Sequence, residues 1–168
     1  MSRISHAPPG YICPFCTVLA GREHELVWSV PEDIVYQDDV AAALIAAGGS
    51  KNNPGHVLVI PMTHFEHLYE LPEREGAAVF RLSRAIARAM KATSDCTGVS
   101  TRQHNEPHVN QDVWHFHMHV FPRFENDQLY AQPHTRNTLA DRNIYADRLR
   151  SHLVSHPEVF SDSERATV

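Results

Sequence analysis

The group of residues most able to do chemistry is a run of three histidines at alternate positions, His115, His117 and His119. They lie within Trp-His-Phe-His-Met-His-Val-Phe at 114–121, in a chain that has 13 histidines among 168 residues. Imidazole titrates near neutral pH, with a reference pKa of about 6.5. Such a cluster predicts acid–base catalysis, nucleophilic attack, metal binding or anion binding.

The alternation also predicts how these side chains are oriented. We expect a strand over 113–121, and alternate side chains of a strand lie on the same face. The three imidazoles would then face one side of a sheet. The opposite face would be apolar and would pack on the core through Phe116, Met118 and Val120. Because His115 and His119 would be about 13 Å apart, one ion could not bind all three imidazoles.

A second chemical group is the pair Cys13 and Cys16. Its C-x-x-C spacing supplies half of a tetrahedral zinc site, and the same spacing occurs in redox pairs. Cys96 is solitary and predicts a core or surface thiol. Three cysteines in this arrangement suit a reducing compartment better than a disulfide framework.

Charge and composition exclude several classes of partner. The chain has 15 Lys and Arg against 20 Asp and Glu, which gives a formal net charge of −5. This balance does not indicate a nucleic-acid clamp or a polybasic membrane patch. No apolar run reaches the roughly 18 residues that span a bilayer, and the first residues lack the apolar stretch of a signal peptide. We therefore expect a cytoplasmic protein with no nucleic-acid or membrane partner.

Local patterns predict the elements that position these groups. Strands are predicted at 34–37, 40–45, 57–60, 99–103 and 113–121. Helices are predicted within 12–21, ending at Gly21, over 72–94, and at a C-terminal stretch marked by Ile144, Leu149 and Leu153. Strands on both sides of one long helix indicate an α+β domain on a mostly antiparallel sheet.

Three ordered segments carry a resemblance to a known family. Residues 115–121 fit the pattern His-φ-His-φ-His-φ-φ, residues 54–61 are similar to a Gly-His-x-Leu-Val-Ile-Pro strand, and residues 105–115 are similar to the loop before the histidines. Together they resemble the histidine triad (HIT) nucleotide hydrolases and transferases, from about Tyr11 to Arg123. The resemblance implies a five-stranded antiparallel sheet with two helices, usually joined across a homodimer.

The resemblance also implies roles for individual residues. His117 matches the family's nucleophile, which attacks the α-phosphorus of a nucleotide and forms a nucleotidyl-histidine. His119 would donate to the phosphate oxygens, and His56 would support the triad from a neighbouring strand. Substrate-binding positions of the family match Asn105, Gln111, Phe15 and Val18, and for the last two ordinary helix core is an equally good interpretation.

The resemblance completes the metal site. In zinc-containing members the remaining ligand positions match His64 and His115, and His67 is the alternative to His64. Two thiolates neutralise the charge of Zn²⁺, so we expect a structural ion with no open position for water.

Several positions depart from the family pattern. Ala46 replaces an acidic residue that contacts the ribose, a task that Asn52 or Asn53 could take over, and Asp112 replaces a Ser or Thr beside the phosphate. The expected glycines of the loop are replaced by Pro107 and Asn110. A carboxylate beside a phosphate repels it unless it is paired or turned away.

These features predict a single HIT-like domain at 11–153, of which 124–153 is a C-terminal extension. They predict a disordered tail at 1–10 and a loose tail at 154–168. Arg123 could reach distal phosphates or be a solvated strand-end charge, and Tyr130, His134 and Arg136 are candidates for contacts with the site.

The leading hypothesis is a hydrolase or nucleotidyl transferase that binds a purine nucleotide or nucleotide conjugate. It would cleave a phosphoanhydride or phosphoramidate that contains AMP or another NMP, through His117. The first alternative is a nucleotide-binding module of low activity, suggested by Ala46 and Asp112. The second alternative is a metallohydrolase with an open zinc position at His115 and His117.

Overall fold

The computed structural model describes residues 5–161 and confirms the α+β class. In chain order the elements are α1 (Pro14–Leu19), β1 (Ile34–Gln37), β2 (Ala41–Ile45), β3 (Gly48–Gly49), β4 (Val57–Pro61), α2 (Glu73–Thr93), β5 (Gly98–Gln103), β6 (Met118–Arg123), β7 (Thr135–Arg136) and α3 (Leu139–Ser155). The described chain therefore has three helices, as the local patterns predict and one more than the resemblance implies.

Five of the strands form one antiparallel sheet in the order β1-β2-β4-β6-β5. Every residue of β2 and β4 is buried, because the two faces of the sheet are both covered. Helix α2 packs on one face through an apolar stripe that includes Leu82, Ile86 and Met90, as its four-residue periodicity predicts. The other face carries a smaller apolar cluster, in which Phe15 of α1 packs on residues of β2 and β4.

The predicted strand over 113–121 is corrected in its position. Strand β6 begins at Met118, and residues 113–117 form an irregular segment before it. The amide of Phe116 donates to the carbonyl of Phe65 at 2.6 Å. Because Phe65 belongs to a loop, this hydrogen bond is not part of the pairing between strands. The predicted sidedness is nevertheless confirmed, since Phe116 and Val120 are in the main core and Met118 packs against it.

The C-terminal segment adds a wall to the sheet. Strand β7 pairs with β3 in a two-stranded ribbon, and α3 packs against α2 and β1. Leu149 and Leu153 are buried as predicted, but Ile144 is exposed. The helix turns that position outwards because it buries Arg142, whose Nε lies 2.9 Å from Oδ1 of Asp33.

Parts of the two predicted tails, residues 5–10 and 154–161, are among the described residues and contact the rest of the domain. Within 5–10, the Ser5 hydroxyl and the His6 amide donate to the carboxylate of Glu66. Within 154–161, α3 continues to Ser155 and a following turn buries Val159 in the core. Residues 1–4 and 162–168 of the predicted tails lie outside the described residues. No helix between residues 5 and 161 is long and apolar enough to cross a membrane.

Candidate metal centre and catalytic cleft

Four side chains form the metal end of the site, namely Cys13, Cys16, His64 and His115. Their ligand atoms all lie within 4.8 Å of one another. Cys13 Sγ lies 3.4 Å from Nδ1 of His115, and Cys16 Sγ lies 3.3 Å from Nδ1 of His64. A sulfur and a nitrogen bound to one tetrahedral zinc ion are about 3.6 Å apart. The donor set and its spacing therefore suit zinc.

The short helix α1 positions the two thiols. Pro14 occupies its first position, and the amide of Cys16 donates to Sγ of Cys13, so both sulfurs project from the same helix end. A hydrogen bond between the side chains of Cys13 and Cys16 and the two imidazoles of His115 and His64 lower the pKa of the Cys16 thiol to about 2. The proton shared with Cys16 raises the pKa of Cys13. The pair thus holds a ready thiolate, the form that binds a metal ion.

His115 is committed to this end through both ring nitrogens. It is fully buried, and its Nε2 lies 3.0 Å from the carbonyl oxygen of Pro61. Since a carbonyl only accepts, the proton is on Nε2 and the lone pair of Nδ1 faces the thiols. Such a contact fixes the orientation of a ligating imidazole. His67, the alternative ligand, lies outside the cluster and instead approaches Glu66 at 3.4 Å.

His117 faces away from the metal end. Its Nδ1 donates to the carbonyl of His115 at 2.7 Å, which leaves the lone pair on Nε2. The ring also meets Phe15 edge to face, with centroids 5.4 Å apart. Burial lowers the pKa of His117, so the neutral imidazole with an available lone pair is the dominant form at neutral pH.

His56, the residue before β4, forms a pair with His119 of the adjacent strand β6. Nε2 of His56 lies 3.0 Å from Nδ1 of His119, and the two rings stack with Phe121. Burial lowers the pKa of His56 to about 3 and also depresses the pKa of His119. Both rings are therefore neutral at pH 7. We call His56, His117 and His119 the cleft end of the site, because they line the cleft described next.

The three cleft-end histidines line a cleft of about 400 Å³. Its floor includes Ala46 and Leu58. Its apolar walls consist of residues just before α1, residues of α1 and residues of the loop that follows α1. The wall residues are Tyr11, Ile12, Pro14, Phe15, Leu26, Val27 and Trp28. A cavity of this size with apolar walls and a polar end suits a small amphipathic ligand.

The predicted substrate-binding residues divide into two groups. Phe15 lines the cleft, whereas Val18 is buried outside its lining. Asn105 and Gln111 also lie outside the lining, and their polar atoms order the preceding loop: Asn105 Oδ1 accepts from the Leu68 amide, and Gln111 Oε1 accepts from the Glu106 amide. A direct contact between either residue and a substrate stays a prediction.

The structure also places the departures from the family pattern. Ala46 and Asp112 both line the cleft, and Asp112 has no ion-pair partner among residues 5–161. Asn53 is buried elsewhere, where it donates to Asp127, so it does not replace the acidic residue of the family. Asn110 adopts φ 71°, a left-handed conformation that asparagine tolerates and that a glycine would otherwise supply.

Three nearby residues have no signal in local spacing. Trp28 forms part of the cleft wall and is 47% exposed. His134 also lines the cleft, and its ring packs so closely on Gly48 that a Cβ there would overlap it. Arg102 pairs with His119 across β5 and β6. The sequence indicates His134 only as a candidate contact. It gives no signal for Trp28 or Arg102, because a loop brings Trp28 to the site and strand pairing brings Arg102.

The three histidines of the run at 115–119 lie in or just before β6, and the first of them belongs to the Cys₂His₂ cluster. A family model described as the HIT domain matches residues 28–126. The chain belongs to the HIT family.

Similar proteins span most of the chain. Protein hit of Bacillus subtilis (strain 168) is 34% identical over 112 residues, which are 67% of this chain and 71% of that protein. Adenylylsulfatase HINT3 of Arabidopsis thaliana is 27% identical over 150 residues, covering 87% of this chain and 72% of that protein. A crystal structure of a Zn-bound histidine triad family protein from Mycobacterium smegmatis has a TM-score of 0.70 and 26% identity, covering 87% of this chain and 96% of the other.

Proposed function

We propose that the protein is a nucleotide hydrolase or nucleotidyl transferase whose nucleophile is Nε2 of His117. One observation carries this function: the bond from His117 Nδ1 to the His115 carbonyl directs the lone pair to Nε2 in a nucleotide-sized cleft. The substrate is a phosphoanhydride or phosphoramidate that contains AMP or another NMP. The relative named adenylylsulfatase supports this class of substrate.

The reaction has two steps. His117 Nε2 bonds to the α-phosphorus while the bond from that phosphorus to the leaving group breaks, and the leaving group carries away the electron pair and takes a proton. Water then attacks the same phosphorus, releases the nucleoside monophosphate and restores the imidazole. A His56 that donates through Nε2 leaves His119 with its proton on its own Nε2, from which it stabilises the phosphate oxygens.

The metal end supports the chemistry without taking part in it. Zinc held by Cys13, Cys16, His64 and His115 would cross-link α1, the loop after β4 and the segment that precedes β6. Four protein ligands would fill a tetrahedral zinc site and would leave no position for water. We also propose that the protein acts in the cytoplasm as a homodimer.

The test is AMP release from adenosine phosphoramidate and diadenosine tetraphosphate by wild type and His117→Ala. We expect wild type to release AMP and His117→Ala to lose more than about 1,000-fold in kcat, as for loss of a nucleophile. His117→Gln repeats the test with a side chain that refills the buried space. His108→Ala, which changes an exposed histidine of the loop at 107–109, is the matched control and retains activity.

Two outcomes count against this function. Substantial turnover by folded His117→Ala and His117→Gln would exclude the covalent route. Absence of AMP release by wild type, together with AMP binding in calorimetry, would favour the nucleotide-binding module instead.

A further inference from the structure

Arg102 lies on the edge strand β5, directly beside the paired histidines of the cleft end. The register of β5 and β6 pairs Arg102 with His119, and paired residues project from the same face of a sheet. The guanidinium carbon lies 5.2 Å from the ring centroid of Phe121 and 5.4 Å from that of Tyr130. Two aromatic rings therefore hold this cation next to His119.

The Arg102 cation has no acidic partner among residues 5–161, and its Nε is buried without a hydrogen-bond acceptor. Arg123 gives the contrast, because it approaches the same Tyr130 ring at 5.7 Å but binds the Asp127 carboxylate with two bonds of 2.7 and 2.8 Å. A partly buried cation without a counter-charge is unfavourable and attracts an anion. Of the two arginines beside Tyr130, Arg102 is therefore the one available to a ligand.

The order of the strands indicates which part of a ligand would reach it. Phe15 of the apolar wall packs with residues of β2. His56 comes just before β4 and His119 lies on β6, and Arg102 lies beyond them on the edge strand β5. Neighbouring strands are about 4.8 Å apart. A nucleotide with its base against Phe15 and Trp28 and its α-phosphorus at His117 would extend its further phosphates towards Arg102.

We propose that Arg102 binds the phosphates of the leaving group, so that the preferred substrates are dinucleoside polyphosphates. This inference rests on the proposed function. When the bond from the α-phosphorus to the bridging oxygen breaks, that oxygen keeps the electron pair, and the departing phosphate is an anion that the guanidinium stabilises. A phosphoramidate instead loses its amine with a proton, and such a leaving group offers Arg102 no phosphate.

The experiment compares kcat/KM for diadenosine tetraphosphate and adenosine phosphoramidate in Arg102→Gln and Arg102→Lys. We expect Arg102→Gln to lose roughly 10- to 100-fold on the tetraphosphate, the usual range for a charged hydrogen bond, and less than about threefold on the phosphoramidate. Arg102→Lys restores part of the loss. Arg136→Gln is the matched control, since Arg136 lies 5.3 Å from the Trp28 ring on the opposite side of the cleft. It should affect both substrates alike.

Equal losses on both substrates, or no loss on the tetraphosphate, would overturn the role of Arg102. Thermal melting of each variant separates a loss of contacts with Phe121 and Tyr130 from a loss of ligand binding. If wild type releases AMP from neither substrate, the proposed function fails. The affinities of wild type and Arg102→Gln for ADP and AMP then test separately whether Arg102 binds phosphate. Weaker ADP affinity with unchanged AMP affinity in Arg102→Gln would support the phosphate site, whereas unchanged affinity for both would refute it.

Discussion

The outer histidines of the triad, His115 and His119, have the same chemistry in sequence and opposite environments in the fold. His115 is buried, with one ring nitrogen facing thiols and the other bound to the Pro61 carbonyl. His119 lines the cleft, shares a hydrogen bond with His56 and has Arg102 as its cross-strand neighbour. The groups around each ring therefore differ: those around His115 suit a metal ligand, whereas His119 faces the cleft beside a second imidazole and a cation.

This contrast divides the site into an end for stability and an end for chemistry. The metal end joins segments that are far apart in the chain, so its loss affects the folded state. The cleft end consists of neutral imidazoles beside a cavity, so changes there affect binding and turnover first. Substitutions at the two ends test this division.

Cys16→Ala removes one of the four ligands of the metal end. We expect loss of bound zinc and a fall in melting temperature of about 10 °C, which corresponds to roughly 3 kcal/mol in a chain of this size. Metal analysis and thermal melting measure these changes. At a temperature where the variant is still folded, its turnover should fall by less than about tenfold, far less than in His117→Ala.

Cys96→Ala is the matched control for this prediction. Cys96 is buried in the main core and lies outside the metal cluster, so the variant should lose some packing energy and keep its zinc. A Cys16→Ala protein with full zinc content and wild-type melting would break the division between the two ends.

The pH dependence of stability tests the buried state of His56. Its folded pKa is about 3, below the reference value of 6.5, so between these values the unfolded chain binds a proton that the folded chain does not. Stability therefore falls as pH falls through this window, by up to about 1.4 kcal/mol per pH unit for this group. The titratable and charged groups around it are His119, His117, His134 and Arg102.

The measurement is denaturant unfolding of wild type and His56→Gln between pH 7.5 and 5. The slope of unfolding free energy against pH should be smaller in His56→Gln. Because loss of zinc and protonation of the other histidines act on both proteins, the difference between the two slopes isolates His56. Identical slopes in wild type and His56→Gln would mean that His56 binds a proton equally in the folded and the unfolded chain.

Asp112→Asn should have the smallest effect. Asp112 is an exposed carboxylate on the cleft lining, where it would repel the phosphate of the proposed nucleotide ligand. An exposed charge of this kind contributes less than about 1 kcal/mol, so AMP affinity should rise by no more than about fivefold. Calorimetry at low and high salt checks this, since the gain must shrink at high salt. A gain independent of salt would point to a steric cause.

Local signals in the sequence were enough for most of the fold. The apolar run at 57–60 and the four-residue periodicity within 72–94 predicted β4 and α2 to within a residue at each end. Both elements are buried by regular patterns that do not depend on distant partners. The prediction that Ile144 lies on the buried face of α3 is wrong for the opposite reason. The orientation of α3 is set by the buried ion pair of Arg142 and Asp33, which are distant in sequence.

The site was predictable where the residues themselves carry the pattern. The four metal-end residues are brought together as the motif and the resemblance implied. The beginning of β6 was misplaced because the Phe116 amide binds the loop carbonyl of Phe65, a contact with no local signal. Trp28 and Arg102 reach the site only through the folding of a loop and the pairing of an edge strand, which residue spacing does not record.

The ribbon of β3 and β7 affects the order in which parts of the cleft form during synthesis on the ribosome. The sheet is complete at Arg123, but His134, which closes the cleft above Gly48, emerges from the ribosome later. The same stretch of synthesis delivers Leu149, Leu153 and Val159, which cover the core. A nascent chain therefore acquires the His134 part of its cleft in the same interval as these core residues, and a chain cut after Arg123 lacks both.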